Sequence, residues 1–450
     1  MAKKLPTLSL TIHGYAADGA GVSRLPDGMT CFVSGALKGE TCQVKVDKIG
    51  KTCAWGHVVG VEAPSPARLT PDCPYYATCG GCATRHMDYA EELEFKRQKV
   101  EDCLRRIGGC DAPVSVIYGA KNTDRYRNKV QFPISDGAIG FYAPRTHAVT
   151  DVADCLLQPE ASARLRAALK EYMAAYSVPA YDERTGGGLL RHLYVRTNRA
   201  GESLCCVLVN GKSLPHEEEL VEALRAAEPG LKGIVLGVNE KKNNVILGDS
   251  YRTLWGEDTL EDTLMGLSFR LSVPSFFQVN PHQAEVLYGL ALDFAGLTGA
   301  ETALDLYCGI GTITLCLAQK AGRVIGAEIV PEAIQDAKEN AKRNGIQNAE
   351  FFCGDASEVA AKLAEDGIRP DLITVDPPRK GLAEDVVDSI VKMAPSRVVY
   401  VSCDPATLAR DVKRFSERGY TLQKAAAVDM FPRTYHVETV VLISKSPATT

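Results

Sequence analysis

The chain lacks the segments that would carry it into or across a membrane. Its N-terminus, MAKKLPTLSL, has no long apolar core of the kind that a signal peptide requires. No apolar run approaches the roughly 18 residues that a membrane-spanning helix needs. We therefore expect a cytoplasmic protein with no membrane association.

An excess of positive charge is also missing. The chain has 51 Lys and Arg against 56 Asp and Glu, which gives a formal net charge of −5. Any nucleic-acid partner would therefore have to be bound by local basic patches, and 95–106 and 121–129 are two candidates. A solvated charged surface explains these two segments as well as an RNA contact does.

Cysteine, by contrast, is abundant, with 15 residues. In a reducing compartment this number favours metal binding or catalysis over disulfides. Cys73, Cys79 and Cys82 follow a C-x5-C-x2-C pattern, one thiolate short of a tetrahedral set, and Cys155 is the candidate for the fourth. Zinc and an iron–sulfur cluster both remain open. We favour the cluster, because single-site zinc modules usually bring their ligands as two close pairs.

The order of the predicted elements divides the chain into three parts, within an overall α/β class. Residues 1–62 contain short alternating runs that predict about five strands of a small closed β-barrel, OB-like in size. Residues 63–270, which begin with a Pro-rich linker, predict an α+β central domain. Residues 271–450 repeat strand–helix units, which predict a doubly wound parallel sheet of the Rossmann-like kind.

Polar residues follow the predicted strands of the third part. The segment 305–312, DLYCGIGT, forms a glycine turn that is only a weak signal by itself. Glu328 ends the second strand, where an acid can bind a ribose diol, and Asp355 ends the third, where it could reach an adenine edge. The turn has no basic residue to neutralise a pyrophosphate, which favours S-adenosylmethionine over NAD. Ordinary polarity at strand ends is the alternative explanation for both acids.

Two further strands end in reactive side chains. Asp376 opens DPPRKG (376–381), where two prolines would hold the carboxylate at the edge of the sheet. Cys403 follows the predicted strand at 397–401 and precedes an Asp-Pro chain breaker. An isolated cysteine is more often an inert buried thiol. Here, however, Cys403, Asp376 and a sulfonium donor would share one crevice, because ligands bind where parallel strands end.

Five segments together resemble the RNA (uracil-5-)-methyltransferase family. They are FFQVN (276–280), DLYCGIGTITL (305–315), DPPRKG (376–381), SCDPATLARD (402–411) and DMFPRTYHVE (429–438). The cysteine pattern and the N-terminal barrel resemble the bacterial branch of this family that acts on 23S ribosomal RNA and carries a TRAM barrel and a 4Fe–4S cluster. The resemblance spans nearly the whole chain.

The resemblance implies methylation of C5 of a specific uridine in 23S rRNA, with S-adenosylmethionine as the methyl donor. It implies that Cys403 adds to C6 of the uracil and that Glu438 removes the proton from C5. Asp376 could also accept a hydrogen bond from uracil N3–H. The remaining residues that it implies are the cofactor-site residues Gln278, Tyr307, Glu328 and Asp376, and the fourth cluster ligand Cys155.

Other functions remain open. Methylation of a tRNA uridine would use the same chemistry, although tRNA-modifying relatives typically lack the barrel and the cluster. A non-catalytic RNA-binding assembly factor would fit the barrel and the basic segments, but it gives no reason for Cys403 and Glu438. Phe276 and Phe277 could stack on the target base or belong to the core. The sequence gives no sign of an obligatory protein partner and is compatible with a monomer.

Overall fold

The N-terminal part is a six-stranded sheet. The structure is a computed structural model that describes residues 5–111, 114 and 116–446. The strands of this first sheet are β1 (Thr7–Thr11), β2 (Gly14–Tyr15), β3 (Gly21–Arg24), β4 (Thr30–Ser34), β5 (Thr41–Ile49) and β6 (Cys53–Ala63).

The first sheet curls round on itself. Its order is β1-β5-β6-β4-β3-β2, so the two edge strands are consecutive in the chain. Only Ile12 and His13 separate these two strands, and the edges must therefore approach each other. Side chains alternate along β5, with Cys42, Val44 and Val46 buried inside. The predicted number of about five strands is close to the six found, and the assignment as a TRAM barrel stays a prediction.

The central part contains a seven-stranded sheet with two helices on one face. Its order is β10-β9-β8-β11-β12-β13-β14, and leucines of α2 and α3 pack into its core. A separate hairpin, β15–β16, follows it. The elements are α1 (Tyr89–Arg106), β7 (Ile117–Tyr118), β8 (Lys129–Ser135), β9 (Ala138–Tyr142), β10 (Val149–Asp151), α2 (Glu160–Ala175), β11 (Leu190–Thr197), β12 (Ser203–Val209), α3 (Glu217–Ala227), β13 (Leu231–Val238), β14 (Ser250–Gly256), β15 (Thr259–Leu264) and β16 (Leu267–Ser272).

The C-terminal part is the predicted strand–helix alternation. Its elements are α4 (Pro281–Ala295), β17 (Thr302–Leu306), α5 (Thr312–Ala318), β18 (Arg323–Glu328), α6 (Pro331–Arg343), β19 (Ala349–Cys353), α7 (Ala356–Glu365), β20 (Leu372–Val375), α8 (Glu384–Met393), β21 (Arg397–Ser402), α9 (Pro405–Ser416), β22 (Tyr420–Val428) and β23 (Glu438–Lys445). The third sheet has the order β19-β18-β17-β20-β21-β23-β22-β7. The order reverses at β17, and ligands bind doubly wound sheets at such a point.

The third sheet differs from the predicted parallel sheet in two ways. Strand β23 runs antiparallel to both β21 and β22. Strand β7, from the region predicted as the central domain, joins the far edge by pairing with Ala427 and Val428. The domain bounds 1–62, 63–270 and 271–450 stay predictions. Within the described ranges, no helix combines the length and the apolar character needed to cross a membrane.

Candidate active site

A cavity of about 570 Å³ lies at the carboxyl ends of β17, β18 and β20. The turn between β17 and α5 forms its floor, and Gly309 and Gly311 have φ of 54° and 85° there. These left-handed values favour glycine, because a Cβ would be strained. Four of the residues expected at the cofactor site line this cavity together: Tyr307, Glu328, Asp355 and Asp376.

Glu328 is held in place by backbone amides. Its carboxylate accepts from the N–H of Gly309 at 3.2 Å, and from those of Ile329 at 2.8 Å and Val330 at 3.0 Å. Because the Gly309 amide belongs to the turn that forms the floor, the acid and the turn are fixed relative to each other. This arrangement holds the carboxylate in one orientation at the edge of the cavity.

Asp355 has a structural role besides its place in the cavity. Its Oδ1 accepts from the N–H of Ser357 at 2.9 Å and from the Ser357 hydroxyl at 2.7 Å, which caps α7. These hydrogen bonds hold the pKa of Asp355 below its usual value. The carboxylate is therefore ionised at neutral pH, and its Oδ1 caps the helix.

The segment before α4 places its two aromatic residues differently. Phe276 is 64% exposed and lines the cavity, whereas Phe277 is 1% exposed and packs in the core. Gln278 is 7% exposed and is not among the residues that line the cavity. The neighbouring Tyr288, whose hydroxyl lies 3.3 Å from that of Thr312, does line it. The role of Gln278 at the cofactor site stays a prediction.

Cys403 and Glu438 lie close together at the end of the sheet where β21 finishes and β23 begins. The antiparallel register pairs Ser402 with Thr439, so the next residues outward are Cys403 and Glu438. The charge of Glu438 acts on the thiol of Cys403, which shows that the two side chains are neighbours. Asp404 then starts α9 by accepting from the N–H groups of residues 406 and 407 at 2.9 and 3.1 Å. The thiol and the carboxyl group thus share one corner of the sheet.

Burial makes the acids of this corner hard to ionise. Burial, with smaller contributions from the charges of Glu438 and Asp376 and against the opposing effect of Arg379, raises the pKa of Cys403 to about 11. Burial also raises the pKa of Glu438 to about 8 and that of Asp376 to about 7. Shifts of this size from burial and a specific charge partner are typical of functional sites.

Comparison with known proteins decides the family. Residues 88–446 match the family model described as tRNA (Uracil-5-)-methyltransferase. The chain belongs to this family.

Similar proteins extend over nearly the whole chain. An uncharacterized RNA methyltransferase of Clostridium tetani is 44% identical over 98% of this chain and 97% of its own length. A protein of the same description from Halalkalibacterium halodurans is also 44% identical, over 98% of this chain and 97% of its own. The crystal structure of Pyrococcus abyssi tRNA (uracil-54, C5)-methyltransferase with S-adenosyl-L-homocysteine superimposes with a TM-score of 0.78. It is 26% identical and covers 97% of this chain and 99% of its own.

The third sheet accordingly has the Rossmann-like fold of S-adenosylmethionine-dependent methyltransferases, as expected. One residue that the sequence did not predict as part of the site is Asp305, which lines the cavity from inside β17. Asp305 accepts from the hydroxyls of Thr314 and Thr374, each at 2.6 Å, and burial raises its pKa to about 6. An acid within an otherwise apolar strand was the available signal.

A histidine that the sequence did not single out lies beside the Cys403–Glu438 corner, together with Arg379 of the segment 376–381. His436 lies 3.5 Å from the Arg379 guanidinium. Burial lowers the pKa of His436 to about 4, and the positive charge of Arg379 contributes. The imidazole is therefore neutral at pH 7, and Arg379 is the cation of this corner.

The four cysteines of the predicted metal site converge. Cys73, Cys79, Cys82 and Cys155 line one cavity of about 190 Å³. Burial raises the pKa of Cys82 to about 12 and that of Cys155 to about 11. Among the described residues, no group of three or more His, Cys, Asp or Glu side chains is arranged to hold a metal ion. The sulfurs share a cavity without forming a single-ion site.

Proposed function

We propose that this protein methylates C5 of a uridine in 23S rRNA, with S-adenosylmethionine as donor. The observation that carries the proposal is that Cys403 and Glu438 each adjoin the last pair of β21 and β23, Ser402 and Thr439, close enough to Asp376 of the cavity for its charge to act on both. A thiol and a carboxyl group at one corner are the two groups that C5 methylation of a pyrimidine needs. An assembly factor without catalysis would need neither.

The charge of the cavity suits a cationic donor. One lysine, Lys380, lines it, against five acids: Asp305, Glu328, Asp355, Asp376 and Asp385. A phosphate-bearing cofactor would be repelled by this lining, whereas a sulfonium would be attracted. S-adenosylmethionine, when bound, supplies an electrophilic methyl group at such a sulfonium. Glu328 is positioned to accept from its ribose hydroxyls.

The reaction follows from the two opposed side chains. Cys403, once deprotonated, adds to C6 of the uracil, and the C5=C6 electrons move to form an enolate, which makes C5 nucleophilic. C5 takes the methyl group as the bond between that methyl and the donor sulfur breaks, which leaves a neutral thioether. Glu438, in its carboxylate form, then removes the C5 proton. The electrons of the broken C–H bond restore C5=C6, and the bond between Sγ and C6 breaks. Base assistance of this kind is worth about 10²–10⁴ in rate.

The target base has to leave its stack to reach this corner, at a cost of a few kcal/mol. Phe276 is the exposed aromatic ring at the cavity, and the ammonium of Lys129 lies 5.8 Å from the centre of that ring. A ring that is exposed on one face and has a cation near it can stack on a flipped pyrimidine. We assign this stacking role to Phe276 rather than to the buried Phe277.

We also propose that Cys73, Cys79, Cys82 and Cys155 hold a 4Fe–4S cluster. Four thiols around one cavity match the four iron positions of such a cluster. The C-x5-C-x2-C spacing with a distant fourth cysteine favours the cluster over zinc, because single-site zinc modules usually bring their ligands as two close pairs. Buried thiols are costly to ionise, and bound iron would offset that cost.

Assignment of 23S rRNA rests on the resemblance carried by the cysteines and by the first sheet, which we take to be an RNA-binding TRAM barrel in a cytoplasmic enzyme. A tRNA uridine is the second candidate. The observation that favours it is the Pyrococcus abyssi tRNA enzyme, whose similarity covers 97% of this chain. The first sheet and the cysteine segment therefore do not by themselves exclude tRNA.

A direct assay separates the two substrates. The purified protein is incubated with S-adenosylmethionine and either unmodified 23S rRNA or unmodified tRNA, and 5-methyluridine is mapped by mass spectrometry. We expect product in the 23S rRNA alone, and none with Cys403→Ala, which should still bind the donor. Product in tRNA alone would show that tRNA is the substrate instead of 23S rRNA. No product in either RNA would contradict the proposal that the protein methylates uridine. Iron and sulfide are measured on the same protein, and zinc in their place would overturn the cluster.

A further inference from the structure

The loop that leads to Glu438 is held by contacts outside its own sheet. We call residues 429–437 the base loop; it joins β22 to β23 and ends at Glu438. Arg433, in its middle, has a φ of 68°. A non-glycine residue keeps this left-handed conformation only when its surroundings fix it. The contacts that fix it come from the segment that carries the cysteines.

The first set of contacts follows directly after Cys82. The backbone N–H groups of Ala83 and Thr84 donate to the carbonyl of Arg433 at 2.9 and 3.3 Å. The N–H of Arg433 in turn donates to Glu92 of α1 at 2.7 Å. Both polar groups of the strained residue are thus bonded to residues 83–92, a short distance along the chain from the cysteine cavity.

A second set comes from two neighbours in the basic segment 121–129. The buried hydroxyl of Tyr126 donates to the carbonyl of Pro432 at 3.0 Å. The guanidinium of Arg127 lies 5.8 Å from the ring centre of Phe431, and Arg127 also lines the cysteine cavity. One side chain therefore contacts both the cavity and the base loop.

A third set anchors the start of the loop. Lys96 is fully buried on α1, and its ammonium lies 2.6 Å from Asp429, 2.7 Å from Glu92 and 3.2 Å from the carbonyl of Phe431. The hydroxyl of Tyr89 donates to Asp429 at 2.8 Å. Breaking such a buried pair is costly, so the loop and α1 are expected to move together.

We infer that the cysteine segment and α1 position the base loop, and that their integrity controls the step in which Glu438 removes the C5 proton. The inference rests on the proposed function, in which Glu438 is that base. Cys403 lies between β21 and α9, where the Asp404 cap holds the start of α9, and none of the contacts to the base loop described above involves it. Loosening the base loop should therefore slow proton removal more than thiol addition or methyl transfer.

Tyr126→Phe tests this inference, with Tyr172→Phe as a matched control. Both substitutions remove a hydroxyl that donates to a proline carbonyl, but Tyr172 bonds Pro215, away from the base loop. With RNA and S-adenosylmethionine, we expect Tyr126→Phe to accumulate a covalent enzyme–RNA adduct about fivefold above the control, the effect of one hydrogen bond. General destabilisation would instead reduce adduct and product together.

Glu438→Gln, run in parallel, separates failure of this inference from failure of the proposed function. If Glu438→Gln accumulates adduct and Tyr126→Phe behaves like Tyr172→Phe, the positioning role is wrong and the base role stands. If Glu438→Gln forms no adduct, Glu438 is not the base and both proposals fall.

Hydrogen exchange gives a readout that needs no RNA. Amides of residues 429–437 should exchange faster in Tyr126→Phe than in Tyr172→Phe or the unaltered protein. Cys82→Ser should have the same remote effect on 429–437, whereas Cys53→Ser, in the first sheet, should not. Unchanged exchange of the base loop in both Tyr126→Phe and Cys82→Ser would overturn the inference.

Discussion

At the scale of single residues, the acidic groups of the Cys403–Glu438 corner share raised pKa values. Burial raises the pKa of Cys403 to about 11, of Glu438 to about 8 and of Asp376 to about 7. Because each negative charge disfavours the next, these groups ionise only with a cation nearby. Arg379 is the protein's own cation here, and the proposed donor would bring a second.

Glu438 makes the stability of the protein depend on pH. Its pKa of about 8 in the folded chain exceeds the ordinary value of 4.5, so between these values the folded state holds a proton that the unfolded state has lost. Stability from this group is therefore lost as pH rises from about 5 to about 8. We expect Glu438→Gln, which has no proton to lose, to gain a few degrees in Tm relative to the unaltered protein over this range.

Thermal unfolding at several pH values between 5 and 9 checks this expectation. Glu222→Gln serves as the control, because Glu222 is an exposed residue of α3. Its difference in Tm from the unaltered protein should stay constant with pH. A constant difference for Glu438→Gln as well would show that the buried carboxyl is not the source of the effect.

The residues of the site differ in how far the sequence predicted them. Glu328 and Asp355 could be placed at strand ends from local pattern, and both line the cavity. Glu438 could not be placed at the site from local pattern alone. Its position there depends on the antiparallel pairing of β23, which no local pattern encodes. Tyr288 was missed since a tyrosine in an apolar helix is usually core.

At the scale of elements, helix α9 holds the loop that closes the cavity. Buried Asp411 accepts from the N–H of Leu382 at 2.8 Å and from the hydroxyl of Tyr400 at 2.9 Å. Arg410 donates to the carbonyl of Lys380 at 2.8 Å. Lys380 and Gly381 line the cavity, so the position of this loop depends on these contacts.

Gly381→Ala should weaken donor binding. Gly381 has a φ of 73°, and an added Cβ would lie 2.5 Å from Asp411 Oδ2 and 2.6 Å from Arg410 Nη2. The loop would have to move, and we expect roughly tenfold weaker binding of S-adenosylmethionine, equivalent to about 1.4 kcal/mol. Isothermal titration calorimetry measures this directly.

Gly419→Ala is the matched control for this element. Gly419 has a φ of 82°, so alanine meets a similar backbone strain there, but a Cβ would meet nothing within 4 Å. Its donor affinity should equal that of the unaltered protein. Equal affinity for both variants would mean that contacts at the loop do not set the shape of the cavity.

The sequence predicts an element when the residues that mark it lie close together in the chain. Prolines at the first turns of α4, α6 and α9 mark helix starts, and apolar runs mark the buried strands β17, β20 and β21. The direction of β23 and the pairing of β7 with β22 depend on contacts between distant segments. Those contacts leave no periodicity in the chain.

At the scale of the whole molecule, ion pairs and hydrogen bonds fasten the three parts together. Arg68 lies in the segment predicted as a linker, yet it pairs with fully buried Glu40 of the first sheet. Tyr15 of that sheet donates to Glu91 of α1 at 2.6 Å. Through α1 these contacts continue to the base loop, so the site is supported by all three parts.

Trapping the intermediate tests the central claim most directly. RNA that carries 5-fluorouridine at the target position has no C5 proton for Glu438 to remove, so the bond between Cys403 and C6 should persist. We predict that digestion and mass spectrometry of the full-length protein will find the methylated nucleotide on the peptide that contains Cys403. A nucleotide attached to any other residue, or no adduct where ordinary RNA is methylated, would contradict the account.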